Sequence, residues 1–429
     1  MKKNSLLKSI ESPRDIKKIP IDRLQDLSDE VSNMIKETIE ENGGHYSSPL
    51  GVVDLTVALH YAYNSPTDKM IWDVGHQAYS HKILTGRQSV FHTIRQKDGI
   101  SGFLKRSESK HDAYGAGHSS TSISAALGFA HSRDIKKENS RVVAIIGDGA
   151  MTNGLAYEAI NNLGFHKTQL TIILNDNTKS ISNSVGALSR YLSKIITNPA
   201  YNRFRVFVWN VFSSLPFFKN KARDLLKRTE GSLKNFLTPG GLFEELGLRY
   251  IGPIDGHNIK DMIALFKNVR NINTPVLVHV LTKKGKNSDF AEDDSIKYYS
   301  LSGKKKKKKE AISYSSVLGD VAISAAEKHN DFVCITAAME IGTGLSKFKA
   351  KYPNRFIDVG IAEGHAVTYA SGLAASEIIP VIALYSTFSQ RAYDNFVHDL
   401  LLQELPFILC LDRSGLVGED GPTHHGILD

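Results

Sequence analysis

Asp148 stands between Gly147 and Gly149 in VVAIIGDGAMTNG, where an apolar run of strand character ends. Two neighbours without side chains leave this carboxylate open to close backbone approach. The following stretch, AMTNGLAYEAI, reads as a helix, whose first N–H groups and positive dipole end suit a phosphate. A carboxylate repels a phosphate unless a cation lies between them, and Mg2+ takes hard oxygen ligands and bridges phosphates. The next apolar run, TIILNDN, brings Asn175, Asp176 and Asn177 to a second strand end, the place for further ligands.

Histidines add a second kind of chemistry. GGHYSSPLGVVDLTVALHY (43–61) sets His45 after two glycines, and WDVGHQAYSHKILTGR (72–87) carries His76 and His81. KRSESKHDAYGAGHSSTSISAALG (105–128) contains the turn Gly117-His118-Ser119 ahead of a helix. One such histidine alone is more often a satisfied structural residue. Three glycine-flanked histidine turns in one chain with a metal-type aspartate shift those odds toward a functional role.

Elements able to position these groups recur along the chain. RVVAIIGD, QLTIILND, PVLVHVLT, DFVCITAA, IIPVIALYS and PFILCLD are short apolar runs bounded by polar or glycine residues. Helical patterns such as SISAALGFAHSR and SYSSVLGDVAISAAEKH separate them. The expected fold class is α/β, with parallel sheets flanked by helices on both faces. Ligands of such sheets bind outside the carboxyl ends of the strands, where Asp148, Asp176 and Asp412 all lie.

With 429 residues the chain is long enough for two or three domains. Six of the charges behind its net +8 come from Lys304–Lys309, and the rest balance to +2, so a nucleic-acid partner is not expected. That run reads as a solvated linker, or as an artificial or placeholder stretch. It divides residues 1–303 from residues 311–429, with a linker at 304–310. Within the first part, an insertion at about 183–240 is strongly basic: residues 189–238 hold ten Lys or Arg against two acidic residues. It reads as a basic amphipathic surface helix or as a mobile insertion over its own domain. VFVWNVFSSLPFF (206–218) is too short to span a bilayer, and MKKNSLLKSIESP lacks the apolar core of a signal peptide. Only Cys334 and Cys410 are present, both in apolar runs, as expected for buried thiols in a cytoplasmic protein.

Longer stretches sharpen the reading. From Gly149, 27 residues intervene before Asn177, the spacing of a thiamine diphosphate motif. LRYIGPIDGHN (248–258), ITAAM–GTGL (335–345), DVGIAEGHAVT (358–368), YSTFSQRAYDN (385–395) and GEDGPTHHG (418–426) complete a pattern. The chain resembles the 1-deoxy-D-xylulose-5-phosphate synthase family, thiamine diphosphate enzymes of the transketolase superfamily. The resemblance runs from about residue 20 to the last residue, interrupted by the basic insertion and the lysine run.

This resemblance implies condensation of pyruvate with D-glyceraldehyde 3-phosphate, loss of CO2, and a place at the start of non-mevalonate isoprenoid precursor synthesis. It implies thiamine diphosphate and Mg2+ as cofactors and a homodimer. Asp148 and Asn177 would be metal ligands, with the backbone carbonyl of Lys179 as a third. His76, Gly117, His118, Ser119, Gly149 and Ala150 would contact the cofactor, and Glu363 would bond its aminopyrimidine ring. His45 and His424 would act with Glu363 as catalytic groups. Tyr385, Arg391, Arg413 and Asp420 would line the acceptor site, where an arginine fork can grip phosphate.

The chain departs from the family's pattern at several points. Asn-Asp-Asn is followed by Thr178 and Lys179, a cofactor-contacting tyrosine is replaced by Ser288, a glutamine by Gly364, and a proline by Glu340. These changes imply weaker cofactor binding. The chain stops at Asp429, so the resemblance also implies a partial second domain and no third, transketolase-type domain. The catalytic assignment then belongs to the complete enzyme. Two other readings stand beside this one: a sibling transketolase-type enzyme, and a non-catalytic relative serving as a scaffold.

Overall fold

A computed structural model describes residues 5–177, 186, 187, 191, 240–304, 312–427 and 429. The expectations for the basic insertion, for Thr178 and Lys179, and for Lys305–Lys309 lie outside the described residues.

In chain order the first part contains α1 (Leu24–Asn42), β1 (Gly44–His45), α2 (Val53–Ala62), β2 (Lys69–Trp72), α3 (Ser122–Ile135), β3 (Val142–Gly147), α4 (Gly154–His166), β4 (Thr171–Asp176), β5 (Arg249–Asp255), α5 (Ile259–Val269), β6 (Val276–Leu281) and β7 (Ser300–Leu301). Five of these strands form one sheet in the order β2-β3-β4-β6-β5, with every pairing parallel. Side chains alternate across it because the strand period is two. Val143, Ile145, Ile173 and Val278 face one core, with α1, α2 and α5 packed over them. Val142, Ala144, Ile146, Ile172 and Leu174 face a second core, under α3 and α4. Each fully buried aliphatic residue contributes roughly 1.5–3 kcal/mol. The helices supply matching stripes, such as Leu24, Leu27, Val31, Ile35 and Ile39 on α1.

The second part contains α6 (Tyr314–Lys328), β8 (Phe332–Thr336), β9 (Phe356–Asp358), α7 (Glu363–Ala375), β10 (Ile379–Tyr385) and β11 (Ile408–Asp412). Its four strands run parallel in the order β11-β10-β8-β9. Cys334, Val381 and Ala383 face one core, and Ile335, Ile382 and Leu384 the other. Both cysteines are free. Cys334 is buried as expected, but Cys410 is only half-buried because it lies on an outer strand of its sheet.

One local expectation is corrected. The chain after Gly147 is not one long helix: residues Asp148–Met151 make a single turn, and α4 starts afresh at Gly154. Asn153 causes the break. Its Oδ1 accepts from Leu155 N–H at 3.0 Å, capping α4, while its Nδ2 donates to Ile361 O at 2.8 Å, in the second part of the chain. The N-terminus of α4 therefore lies at Gly154, past Asp148, which opens a separate turn of its own.

Candidate active site

The register of β3 and β4 sets the floor of the site. Gly147 lies opposite Asn175, so the residues beyond, Asp148 on one strand and Asp176 and Asn177 on the other, emerge side by side. Asp148 and Asn177 open into a cavity of about 1030 Å3 between the two sheets, whereas Asp176 is not among the residues that line it. Asp148, Asn177, His45, His76, Gly117, Ser119, Gly149, Ala150, Glu363, Tyr385, Arg413, Asp420 and His424 all line it. Burial, with Asp176 nearby, pushes the Asp148 carboxyl up to about 6, and Lys284 opposes that rise. His279 bonds Asp176 Oδ2 at 3.0 Å and Tyr250 OH at 2.7 Å, holding the second tip from below.

The Gly117-His118-Ser119 turn is fixed from two sides. Asp73 accepts from Ser120 N–H at 2.6 Å and Ser122 N–H at 3.0 Å, which caps α3. Ser120 Oγ donates to Ala150 O at 2.7 Å and ties the turn to the Asp148 segment. From the second part, His118 Nε2 lies 2.9 Å from Thr423 O and 3.1 Å from Thr387 Oγ1. Arg391 Nη1 donates to Ser119 Oγ at 3.1 Å, and its other amino group donates to Ser119 O. Arg391 thus lies behind the turn rather than among the residues facing the cavity.

Glu363 opens α7 from the opposite wall and is 4% exposed. Its Oε2 makes no hydrogen bond among the described residues. Burial raises its carboxyl above the ordinary value, and Arg391 partly counters this.

The ribbon of β1 and β7, antiparallel with His45 opposite Ser300, presents His45 to the cavity. The double glycine before it answers a packing demand: a Cβ at Gly44 would meet Arg95 Cδ at 2.9 Å, and its φ is +136°. His45 touches His76, Phe103 and Tyr299 through ring contacts at 5.3, 5.6 and 5.4 Å. Desolvation holds both His45 and His76 well below the ordinary imidazole value. Burial likewise takes His424 down to about 4. His424 stacks on Phe103 at 4.7 Å, and its Nδ1 shares a hydrogen bond with Thr423 Oγ1 at 2.9 Å.

At the cavity's far end Arg413 lies over the Tyr385 ring, 4.4 Å from its centre. Asp420 receives Arg413 Nη1 at 3.4 Å and pairs with Arg95. Arg95, Asp73 and Phe103 went unnoticed in the sequence. Asp73 lies within a quoted stretch, WDVGHQAYSHK, but only its two backbone donors reveal its part, while Arg95 in VFHTIRQKDG carries no local signal. His257 of the Gly-Pro-Ile-Asp-Gly-His stretch is a support: its Nε2 accepts from Lys283 N–H at 2.8 Å and its Nδ1–H donates to Asp54 Oδ2 at 2.9 Å. That anchors the segment carrying Lys284 into the cavity. Ser288, one of the departures, is 3.2 Å from Tyr46 OH and does not face the cavity. Glu340 does, and is paired with Lys349 at 2.6 Å.

The residues present fit a diphosphate, a hard cation and an aminopyrimidine. Gly147 leaves open space where a side chain would occupy the floor, since a Cβ there meets nothing within 4 Å. Glu363 Oε2 and the Nδ1 atoms of His45 and His76 are buried polar atoms lacking hydrogen bonds among the described residues, and a polar ligand would satisfy them. Among the described residues no three His, Cys, Asp or Glu converge as a metal cluster, so a cation here would draw on amide, carbonyl and phosphate oxygens as well as Asp148.

Known proteins resemble this chain along both of its parts. The family model described as 1-deoxy-D-xylulose-5-phosphate synthase matches residues 7–282, and that of the transketolase pyrimidine-binding domain matches residues 310–429. The 1-deoxy-D-xylulose-5-phosphate synthase of Halothermothrix orenii is 51% identical over 99% of this chain and 68% of its own length. The 1-deoxy-D-xylulose-5-phosphate synthase 1 of Geobacter sulfurreducens is 50% identical over the same shares. Among solved structures, transketolase from Campylobacter jejuni aligns with a TM-score of 0.46 and 17% identity, over 95% of this chain and 72% of that one. By its matches along both parts, the chain belongs to the 1-deoxy-D-xylulose-5-phosphate synthase family.

Proposed function

We propose that the site joins pyruvate to D-glyceraldehyde 3-phosphate, forming 1-deoxy-D-xylulose 5-phosphate with release of CO2. The bond between the carboxylate and the keto carbon of pyruvate breaks, a bond from that keto carbon to the aldehyde carbon forms, and one proton is taken up. Thiamine diphosphate, when bound, supplies the electron sink for decarboxylation and the nucleophilic carbon for transfer.

In this reading Asp148 and Asn177, with the backbone at Lys179, hold Mg2+, and Gly149 and Ala150 present backbone to the diphosphate. His76, Gly117, His118 and Ser119 complete the cofactor seat. Glu363 holds a proton at Oε2 for a ring nitrogen, as its dry surroundings favour. His45 and His424 stay neutral at physiological pH, which equips each to accept a proton near the reacting carbonyls. Tyr385, Arg413 and Asp420 form the acceptor end, and Arg391 serves from behind the Ser119 turn. The chain divides into domains at 1–303 and 311–429 around the 304–310 linker, and the protein works as a cytoplasmic homodimer. Among the described residues no helix is long and apolar enough to cross a membrane.

The observation that carries this reading is the Gly147–Asn175 register, which brings Asp148 and Asn177 into one cavity with Glu363. Calorimetry tests it: thiamine diphosphate with Mg2+ should bind the protein, and Asp148→Ala should weaken that binding by about 100-fold or more. CO2 release from pyruvate should depend on D-glyceraldehyde 3-phosphate. Turnover of ketose phosphates in place of pyruvate, or no cofactor binding at all, would overturn the proposal.

A further inference from the structure

One apolar ring joins the two histidines that flank the reacting groups. Phe103 is 2% exposed, stacks on His424 with 14° between the planes, and meets His45 edge-on at 67°. Neither imidazole is pinned by hydrogen bonds alone. His45 Nδ1 has no hydrogen-bond partner among the described residues, and His424 Nδ1 has Thr423 Oγ1. The terminal torsion of a histidine is broad and roughly two-fold, so one bond or none leaves the ring plane loosely set. Phe103 stacked flat against one face removes that freedom at His424, and at His45 its edge-on contact restricts the ring together with His76 and Tyr299.

Phe103 is itself held by a largely buried set of charges, reached through the half-buried Glu108. Its N–H donates to Ser101 Oγ at 3.2 Å, and Ser101 N–H donates to Glu108 Oε1 at 2.8 Å. Glu108 Oε2 pairs with Lys82 and with Arg87 Nη1 at 3.0 Å. Arg87 also grips Asp112 with both amino groups, at 2.7 and 2.8 Å. Lys82 is fully buried, so this set forms a fixed frame rather than a surface network.

We propose that Phe103 is a positioning residue that sets the ring planes of His424 and His45 for proton transfer, with Glu108 anchoring its loop. The proposal rests on the reaction assigned above. The groups facing His424 besides Phe103 include the titratable or charged His118, His45, His76, Asp420, Arg413 and Arg95, with Phe388 at its edge. Opening one face of the ring to water leaves these charges in place and reduces desolvation, so the imidazole's titration midpoint moves up.

Histidine-labelled protein without cofactor provides the direct test by NMR. The wild type should give a cross-peak between the Phe103 ring and His424, and an upfield His424 ring proton. In Phe103→Ala both should vanish, and the His424 midpoint should rise from about 4 by about one pH unit. Turnover should fall about 100-fold at unchanged thiamine diphosphate affinity, as expected for lost orientation. Phe103→Tyr, which keeps the ring, should restore the stack and the rate. If Phe103→Ala does not fold, Phe103→Leu takes its place. A missing cross-peak in the wild type, an unchanged His424 midpoint in the variant, or full turnover without the stack would overturn the proposal. If the wild type turns over neither substrate, the assigned reaction fails while the spectra still decide the positioning.

Discussion

Glu363 Oε2 lies 3.9 Å from Arg391 Nη1, too far for a hydrogen bond and near enough for attraction. Arg391 spends its donors on Ser119 instead, so the carboxyl group is steered but left open toward the cavity. Such an arrangement stores an unsatisfied group where a ligand can use it.

Replacing Glu363 by Gln should therefore separate stability from activity. The folded state raises this carboxyl group above its ordinary 4.5, so it binds the proton more tightly than the unfolded chain. The stability linked to that proton is fully present below the unfolded value and is lost as pH rises through the folded one. Glu363→Gln mimics the protonated form. Thermal melts of cofactor-free protein should show it more stable than wild type at pH 8 and equal to it at pH 4. Turnover should fall by about 10²–10⁴-fold. Equal melting at pH 8 would contradict the buried, uncompensated carboxylate.

The charge set under Phe103 should be intolerant of single changes. Lys82→Met leaves Glu108 with one cation, and Glu108→Leu leaves two buried cations facing each other. Arg87 keeps Asp112 in every variant, so Glu108→Leu, which strands the buried Lys82 ammonium, should cost about 3–5 kcal/mol, and Lys82→Met, which leaves Glu108 paired with Arg87, should cost less. The double variant Lys82→Met/Glu108→Leu should recover part of that, because it removes the stranded lysine charge with its partner. Urea unfolding of the four proteins measures the coupling; strict additivity would rule out a joint frame.

How far the sequence revealed these features depends on the range of the interactions. β3 and β4 were legible because VVAIIG and TIILND are apolar runs, buried but for Gly147, that end in a glycine and in polar residues respectively, and Asp148 followed from its place just past the first end. The break at Asn153 was not, since it depends on Ile361 O from a distant element. Arg95, Phe103 and Asp73 sit in turns without periodicity, and their parts are set by contacts across the fold. Arg391 was expected at the acceptor site from its motif, yet its position behind Ser119 depends on how two sheets face each other.

Gly342 should matter for the acceptor end alone. A Cβ there would come within 2.1 Å of Tyr385 OH, so Gly342→Ala must move that side chain. Tyr385 stacks under Arg413, which shares Asp420 with Arg95, and the shift would disturb that whole end. The KM for D-glyceraldehyde 3-phosphate should rise about tenfold, while calorimetry finds thiamine diphosphate affinity unchanged. A variant with altered cofactor affinity and normal KM would place Tyr385 elsewhere in the chemistry.

His118 is one of the hydrogen-bonded links between the two parts of the chain at this site, beside Arg391–Ser119 and Arg95–Asp420. Its Nε2–H donates to Thr423 O, one residue from His424, and Gly117 beside it has no room for a side chain because Thr423 Cβ would lie 2.5 Å from it. The turn and the Thr423 segment therefore hold each other. His118→Phe keeps the ring and its contact with Phe388 but loses the donor, leaving the half-buried Thr423 O with Thr387 Oγ1, at 3.2 Å, in place of two donors. The cost should be about 1–3 kcal/mol, concentrated in the 415–427 segment rather than spread over the sheet cores. Hydrogen exchange followed by mass spectrometry should show faster exchange there, with β3 and β4 unchanged. Uniformly faster exchange would mean that His118 supports the first sheet itself, and unchanged exchange would mean that Thr387 and the Phe388 contact suffice to keep the segment closed.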